Sequence, residues 1–349
     1  MTKRCWGLAL SLSAALIAAT GAARADSLDD WRKRADKVIA IYEQSSGLKE
    51  YDAVTPDFDC QGLSLGSKQW PFRNGSIRKI FRRLGADVMA RTINASMPKH
   101  GDTFLRAANA SLKGRHATAR RITLELQSTK SGGCKGRKGT GLVHSAKNEI
   151  QRWLRTPEVL AAQKAEEQVI SRRAIRVAAC WAKRIRKADA PRYAEYLFFY
   201  DYLVQNGGGW VEDGILIDAF SLMNYGQYGK SDKQLVKEKL DQVIQFYETD
   251  WRVAAAKGYL RDGKRNAEIL REAQAAGEIG KGEVGLLMLK TFRGMLGNTP
   301  YGLISMNRGV VSLLGRGYYG GKRYDIRSSM RRAGALSPGQ IPAKLRCRR

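Results

Sequence analysis

The sequence has few of the features that mark membrane-spanning, fibrous or metal-binding proteins. Beyond its N-terminus it contains no long apolar run, which excludes a protein with several membrane-spanning helices. Its 8 prolines and 36 glycines follow no three-residue period, so a collagen-like chain is excluded. Only 3 histidines occur, far apart, and no two cysteines have C-x-x-C spacing, which argues against a zinc site or a redox dithiol. We therefore expect neither a metal nor an organic cofactor.

Positive charge is what the sequence has in excess. Its 349 residues include 61 lysines and arginines against 33 acidic residues, for a formal net charge of +28 at pH 7. Hydrophobic residues make up 43% of the chain, enough for a folded core of one large domain or two smaller ones. So high a charge predicts an anionic partner.

The first 25 residues have the pattern of a secretory signal peptide. Two basic residues precede an apolar stretch at 8–20, and Ala23-Arg24-Ala25 is a small-x-small cleavage site. We expect cleavage after Ala25, which removes three basic residues and leaves a net charge of about +25, and export to the periplasm or the exterior. Envelope polymers are the nearest polyanions there, so we expect an anionic glycan such as peptidoglycan as partner, no nucleic acid, and at most peripheral membrane contact.

Four cysteines remain after the expected cleavage, an even number in an oxidising compartment. Disulfide bonds are therefore expected. Four cysteines allow three pairings, and the sequence does not choose among them. The candidates are Cys60, Cys134, Cys180 and Cys347.

Hydrophobic periodicity predicts a mainly helical protein with a small β or loop-built part near the N-terminus. Apolar residues recur at helical spacing over 28–45 and from residue 77 to residue 88. Residues 51–75 are rich in glycine, proline and aspartate and favour short strands or turns. Residues 110–147 are basic and glycine-rich and predict a loop region. A largely helical half follows from residue 148.

Two stretches resemble known motifs but fail as functional sites. Residues 62–66 match G-x-S-x-G, but no apolar strand precedes them and Pro71 follows closely, so no nucleophile elbow is predicted. Residues 226–231 end like a P-loop, but Asn224 stands where the first glycine is required.

A pair of carboxylates is the strongest candidate for chemistry. Glu43 lies at the end of an amphipathic helix, and Asp59 follows in a glycine-rich turn. Glycosidic hydrolysis needs one protonated carboxyl group for the leaving oxygen and one ionised carboxylate to stabilise positive charge or activate water. Apolar neighbours disfavour the charged form of Glu43, whereas a polar turn keeps Asp59 ionised. Asp57 is an alternative second carboxylate, and two solvated carboxylates without a catalytic role are the other interpretation.

The residues around this pair resemble the active-site region of the lysozyme-like superfamily, closest to a bacterial and phage branch of chitosanase-related peptidoglycan hydrolases. That branch reads F-E-T-S-x-G and then F-D-G-Q-G-[IL]-S-x-G-x-x-Q-W, whereas this chain reads YEQSSG over 42–47 and FDCQGLSLGSKQW over 58–70. The helix at 196–208 is similar to the branch's FD-x-x-VQNG helix, and residues 71–76 depart from its pattern. The resemblance implies that Glu43 is the general acid, that Asp59 is the second carboxylate, and that Gly62, Ser64, Gly66, Gln69 and Trp70 line the sugar cleft.

The resemblance further implies a lysozyme-like, mainly α (α+β) fold with a small β-hairpin lobe. We expect a signal peptide at 1–25 and one catalytic domain at 26–349, with a small lobe at 26–147 and a helical lobe at 148–349. The expected activity is hydrolysis of β-1,4 linkages in peptidoglycan glycan strands. The alternatives are a chitosanase-like enzyme for glucosamine polymers and a non-catalytic basic protein that binds the cell wall or assists secretion. The sequence assigns no immunity or secretion-system partner.

Basic, aromatic and glycine residues cluster near the C-terminus. Tyrosine rings stack on sugars and arginine binds carboxylates, so the cluster predicts either a subsite for an anionic glycan or a basic surface loop. Asp201 and Gln205, on the aromatic helix, are expected to be buried polar anchors rather than catalysts. The cluster comprises Asn307, Arg308, Gly309, Arg316, Tyr318, Tyr319, Lys322, Arg323 and Tyr324.

Overall fold

The structure, a computed structural model, describes most of the chain beyond the N-terminal segment. The expected signal peptide, Asp59, Cys60 and Cys134 lie outside the described residues, and the expectations for them stay predictions. The described residues are 27–44, 49–57, 62–127, 142–205, 229–248, 257–296, 301–334, 336–345 and 347.

The N-terminal part combines a first helix, a small antiparallel sheet and a group of short helices. The sheet has the order β1-β2-β3, with Val54 opposite Leu65 and Leu65 opposite Trp70, as short strands in 51–75 predict. The helix predicted from residue 77 is divided by Gly85, whose φ of 75° ends one helix and starts the next. The elements are α1 (Leu28–Gln44), β1 (Val54–Thr55), β2 (Ser64–Leu65), β3 (Trp70–Pro71), α2 (Ile77–Leu84), α3 (Ala86–Ser96), α4 (Gly101–Leu112), α5 (His116–Thr123) and α6 (His144–Leu154).

The prediction of a loop region over 110–147 is wrong for much of that stretch. Helix α4 extends to Leu112, α5 follows after a short turn, and α6 begins before residue 147. The buried apolar side chains of α5 are Ala119 and Ile122. Two apolar residues are too few to give a clear helical periodicity in the sequence. A helix this short is stabilised mainly by tertiary packing, here on α4, which the local sequence does not reveal.

The C-terminal part is a helical assembly with one hairpin. Pro157 occupies the first turn of α7, and Ser231 caps α9 by accepting a hydrogen bond from the backbone N–H of Gln234. None of the helices in the described ranges combines the length and apolar character needed to cross a membrane. The elements are α7 (Pro157–Trp181) with a π-helical turn (Ala182–Arg186), α8 (Tyr193–Gln205), α9 (Asp232–Glu248), α10 (Lys257–Ala275), α11 (Lys281–Leu296), α12 (Tyr301–Leu314), β4 (Arg316–Tyr319), β5 (Lys322–Asp325) and α13 (Arg327–Arg332).

Two hydrophobic cores organise the fold. The smaller core lies between the three-stranded sheet, α2 to α6 and the first turns of α7, around Phe81, Phe104 and Trp153. The larger core joins α1, the rest of α7 and α8 to α12. Helix α7 contributes to both cores and connects them. The mainly α fold with a small antiparallel sheet is as expected, and the lobe boundary at residue 147 stays a prediction.

A disulfide bond joins two of the four candidate cysteines. Cys180 near the end of α7 is bonded to Cys347, with their Cα atoms 4.6 Å apart. That separation lies in the ordinary range for disulfides. The bond connects the helix that spans both cores to the C-terminal segment.

Candidate active site

A polar cleft of about 310 Å³ opens where the end of α1 faces β1 and α6. Polar side chains dominate its lining, which suits a ligand rich in hydroxyl and amide groups. In the described part of the chain, no three His, Cys, Asp or Glu residues are grouped so as to hold a metal ion. The lining residues are Glu43, Glu50, Ala53, Val54, Thr55, Gln69, Lys147 and Gln151.

Glu43 lies in the last turn of α1 and borders this cleft. Its Oε1 accepts a hydrogen bond of 2.7 Å from Nη1 of Arg308, which belongs to α12. The Glu43 side chain is 15% exposed and that of Arg308 only 4%. The apolar neighbours expected for Glu43 are present on the helix, where Ile39 and Tyr42 are buried, but the carboxylate itself contacts a cation.

Behind Arg308 lies a buried network centred on Asp201 of α8. Arg308 Nε donates to Asp201 Oδ1 at 2.9 Å, and Lys290 Nζ donates to Oδ2 at 2.9 Å and to Gln205 Oε1 at 3.0 Å. Burial opposes the charge on Asp201, but Arg308 and Lys290 outweigh burial and lower the pKa of this carboxyl. Asp201 and Gln205 therefore act as anchors for cations, as predicted, with Asp201 wholly buried.

Aromatic side chains hold Arg308 from another side. Its guanidinium carbon is 4.7 Å from the ring centroid of Tyr42, a cation–π distance. The Tyr319 ring packs edge-on against Tyr42 with centroids 5.0 Å apart, and its hydroxyl donates to the Tyr42 carbonyl at 3.2 Å. Burial raises the pKa of Tyr42, which therefore stays neutral. With Arg308 held by Asp201 and Tyr42, the carboxylate of Glu43 has a defined orientation.

The turn between β2 and β3 brings Gln69 to the cleft. Gln69 has a φ of 49° and Gly66 a φ of 76°, so the turn uses two left-handed residues, one of them not glycine. A Cβ at Gly66 would lie 2.3 Å from Gln163 Oε1, so a side chain there would displace Gln163 from its hydrogen bond to the Ser67 N–H. Gln69 Nε2 donates to the Gly66 carbonyl at 3.2 Å, and Gln69 Oε1 is buried without a hydrogen-bond partner among the described residues.

Charged side chains anchor this turn to the helices beneath it. The Ser67 hydroxyl donates to Glu167 of α7, and the Ser67 N–H donates to Gln163 Oε1 at 3.2 Å. Lys68 Nζ donates to Oδ1 of Asp36 on α1 at 2.6 Å, with both side chains buried. The turn that carries Gln69 is thus fixed to the same helix that carries Glu43.

Asp36 is the centre of that anchor. It also accepts hydrogen bonds from Lys49 at 2.7 Å and from the Tyr200 hydroxyl at 2.6 Å. Burial opposes its ionisation, but Lys68 and Lys49 outweigh burial and lower the pKa of Asp36 to about 2. Asp36 is therefore ionised at neutral pH.

The structure separates the predicted cleft residues into two groups. Glu43 and Gln69 line the cleft. The others lie in or beside the sheet as buried residues, and Trp70 packs in the smaller core with 4% exposure. Their contact with a sugar stays a prediction. These buried residues are Gly62, Ser64, Gly66 and Trp70.

Asp57, the alternative second carboxylate, is a buried structural residue. Its Oδ2 accepts hydrogen bonds from Nε of Arg120 at 2.7 Å and from Nη2 at 2.6 Å, and its Oδ1 accepts one from the N–H of Gly62 at 3.0 Å. Asp57 is wholly buried and is not part of the cleft lining. Asp59 lies outside the described residues, so its role stays a prediction.

Several site residues were not assigned a role from the sequence. Arg308 was placed only in a general basic cluster, and Lys290 was not considered. Both residues lie inside apolar helical stretches. This pattern could have indicated a buried ion pair, because a cation on a buried helix face requires a buried carboxylate as partner. Lys147 and Gln151 follow one another by one turn on α6 and reach the cleft only through tertiary packing.

Comparisons with known proteins add little to this picture. No known protein family matches the chain, and no curated protein does. Two matching solved structures are of chitosanase from Bacillus subtilis MY002, one native and one a mutant complexed with 6 GlcN. Each is 16% identical, covers 71% of this chain and 90% of its own, and has a TM-score of 0.35. A similarity this low carries no argument about function, which must come from the site.

Proposed function

We propose that this chain is an exported glycoside hydrolase that cleaves β-1,4 linkages of peptidoglycan glycan strands, with Glu43 as general acid. The observation that carries the proposal is a carboxylate at the edge of a polar cleft, oriented by a buried arginine that a second carboxylate holds in place. An oriented carboxyl group beside a polar groove is the central requirement of glycosidic hydrolysis.

Each described group has a role in this mechanism. Arg308 holds Oε1 of Glu43, which leaves the other oxygen to protonate the glycosidic oxygen. After the proton has left, Arg308 stabilises the carboxylate that remains. Gln69 and Gln151 line the cleft beside the sugar. Asp59 supplies the second carboxylate, which stabilises the developing positive charge or positions water.

The charge around the cleft supports peptidoglycan over chitosan. Glu43 and Glu50 line the cleft, but Arg308 compensates Glu43, and Lys147 adds a cation to the lining. A polycationic glucosamine chain favours a predominantly acidic groove, and a mature protein with an expected net charge of about +25 repels it. Chitosan stays the alternative substrate, and a non-catalytic wall-binding protein the alternative function.

Export is part of the same proposal. The N-terminal 25 residues have the signal-peptide pattern. A disulfide between Cys180 and Cys347 suits an oxidising compartment such as the periplasm or the exterior. Peptidoglycan is the abundant β-1,4-linked glycan in those compartments.

The test is hydrolysis of purified sacculi by the mature protein and its Glu43→Gln variant. Glutamine keeps the shape of Glu43 but cannot donate the proton, so we expect released disaccharide-containing muropeptides from the wild type and a loss of at least about a hundredfold in the variant. Glu248→Gln is the matched control, because Glu248 also ends a helix and pairs with an arginine, Arg271, outside the cleft.

The outcomes separate the three functions. Muropeptide release by the wild type and Glu248→Gln but not by Glu43→Gln supports the proposal. Release from soluble chitosan and not from sacculi supports the chitosanase alternative. If the wild type sediments with sacculi and hydrolyses neither polymer, the chain is a binding protein and the catalytic proposal is wrong.

A further inference from the structure

The hairpin of β4 and β5 packs against the end of α1 that carries Glu43. Tyr319 of β4 packs on Tyr42, the residue before Glu43, with ring centroids 5.0 Å apart. Its ring also lies 6.3 Å from that of Tyr259 on α10, so the buried Tyr42 ring and the two partly buried rings form a continuous aromatic cluster. The Tyr319 hydroxyl donates to the carbonyl of Tyr42, the residue next to Glu43, at 3.2 Å. The hairpin therefore lies beside the helix end that carries Glu43, although the two are far apart in the sequence.

The register of the hairpin gives its two faces different residues. Tyr319 is paired directly with Lys322, and Tyr318 directly with Arg323. Directly paired residues of an antiparallel hairpin leave the sheet on the same face, and the next pair leaves on the opposite face. Lys322 therefore shares the face of Tyr319. Arg323 shares the other face with Tyr318, against which Arg265 is stacked at 4.9 Å.

The hairpin is held rigidly by α10. Asn266 Oδ1 accepts a hydrogen bond from the Tyr318 N–H at 2.7 Å, and Asn266 Nδ2 donates to the Tyr318 carbonyl at 3.0 Å. Asp262 Oδ2 accepts from the Gly321 N–H at 2.8 Å. Gly320 and Gly321 form the two-residue turn with φ of 60° and 80°, as a type I′ hairpin requires. A surface fixed in this way loses little entropy when it binds a ligand.

The tip of the hairpin carries cations that no described carboxylate neutralises. Lys322 is exposed and, among the described residues, forms no ion pair. Arg261 of α10 is also exposed and reaches the turn, with its Nη2 3.5 Å from the Cβ position at Gly321. Asp262 is buried and engaged with the backbone, and Asp325 pairs with Arg327. The tip can therefore attract a carboxylate.

We propose that Tyr319 and Lys322 form a subsite that binds a carboxylate-bearing sugar unit next to the one whose glycosidic bond Glu43 attacks. The ring of Tyr319 contacts the sugar, and the ammonium group of Lys322 binds the carboxylate of its lactyl or peptide substituent, with Arg261 as a second cation. The subsite rests on the proposed function for its position along the strand. It selects a carboxylated glycan, because chitosan offers Lys322 no carboxylate.

Binding to sacculi tests the subsite separately from catalysis. The mature protein carries Glu43→Gln so that the strand is not consumed, and Lys322→Glu or Arg323→Glu is added. The two additions change the net charge equally, at neighbouring exposed positions on opposite faces, so general charge effects cancel. The probes are purified sacculi and sacculi whose carboxyl groups have been amidated with a carbodiimide and ethanolamine, and dissociation constants come from co-sedimentation.

We expect Lys322→Glu to weaken binding to native sacculi about tenfold and Arg323→Glu to weaken it less than about twofold. On amidated sacculi the two variants should have the same dissociation constant. Equal weakening by the two variants, or none by Lys322→Glu, overturns the subsite. The result is independent of turnover. If the wild type hydrolyses nothing but the Lys322-specific difference is observed, the proposed function is wrong and the subsite is supported. If the wild type is active and that difference is absent, the subsite alone is wrong.

Discussion

The guanidinium group of Arg308 is shared by two carboxylates with different surroundings. Asp201 is wholly buried, whereas Glu43 reaches the cleft. A buried arginine is stable only when its donors are satisfied, and Asp201, Glu43 and the Tyr42 ring together do this. Arg308 is thus a positioning residue that orients Glu43.

Replacing Arg308 by methionine tests that role. The variant leaves Asp201 with one cation and Glu43 with none, so we expect a loss of about 3 kcal/mol in the free energy of unfolding. We expect kcat on sacculi to fall about a hundredfold with KM little changed, because orientation acts on the chemical step. Urea unfolding and muropeptide release measure the two effects.

Lysine at the same position and a surface arginine provide the controls. Arg308→Lys keeps the charge but loses the fork that reaches both carboxylates, so stability should recover more than kcat. Arg271→Met removes an exposed arginine from α10 and should change neither quantity. If Arg308→Met keeps full kcat, Arg308 is structural only.

The turn between β2 and β3 depends on α1 and α7 for its position. Lys68 binds Asp36, and Ser67 binds Glu167, so two buried contacts hold a turn in which Gln69, a non-glycine residue, has a left-handed backbone conformation. Its sequence predicts a turn, but the two contacts place that turn opposite Glu43. The placement of Gln69 is therefore a property of the packed elements.

Acid should weaken the attachment of this turn through Asp36. Its folded pKa of about 2 lies below the unfolded value of 3.8, so ionised Asp36 stabilises the protein above pH 4, and that contribution disappears as the pH falls through 2. A shift of nearly two units corresponds to about 2 kcal/mol. We expect Asp36→Asn to lower the free energy of unfolding by at least that amount at pH 7, and the deficit to shrink between pH 4 and pH 2.

Urea unfolding at pH 7, 4 and 2.5 gives the comparison. Asp241→Asn is the control, since Asp241 is exposed and its ion pair within the described residues is with Lys237, one turn away on α9. It should cost less than about 0.5 kcal/mol at any pH. A deficit for Asp36→Asn that is the same at all three pH values contradicts the assignment of the ionised carboxylate as the anchor.

Over the whole molecule, a single covalent bond joins distant parts of the described chain. Cys180 and Cys347 are 167 residues apart, and between them lie α8 to α13. A link over so long a loop restricts the unfolded chain strongly. The bond therefore stabilises the larger core and the C-terminal segment together.

Removing this bond should lower the stability of the mature protein. We expect Cys180→Ser with Cys347→Ser to reduce the free energy of unfolding by about 3 kcal/mol relative to the oxidised wild type. Unfolding by guanidinium chloride measures the difference. Under a strong reductant, which also breaks any bond between the other two candidate cysteines, the wild type and the variant should unfold at the same denaturant concentration. If oxidised wild type and variant unfold at the same denaturant concentration, the disulfide contributes nothing, and its support for an oxidising compartment is lost.

The mainly helical fold was predictable wherever helical periodicity is strong. Leu28–Gln44 has apolar residues at regular spacing and follows the predicted range, and the helices beyond residue 148 lie in the half predicted to be helical. The prediction failed at His116–Thr123, where few apolar residues mark a short helix that packing stabilises. The sequence predicted only short strands or turns in place of the small sheet. Strands of two residues are too short to show the alternation of apolar and polar residues that identifies a strand.

The sequence by itself determined the charge, the helical class and a candidate general acid at Glu43. These follow from composition and from short-range patterns, which depend on neighbouring residues. Only the tertiary structure decided that Arg308, 265 residues further along the chain, orients Glu43, and that Asp57 is a buried partner of Arg120. Such pairings depend on how helices pack, because the buried charges of one element can be satisfied only by whichever element folds against it.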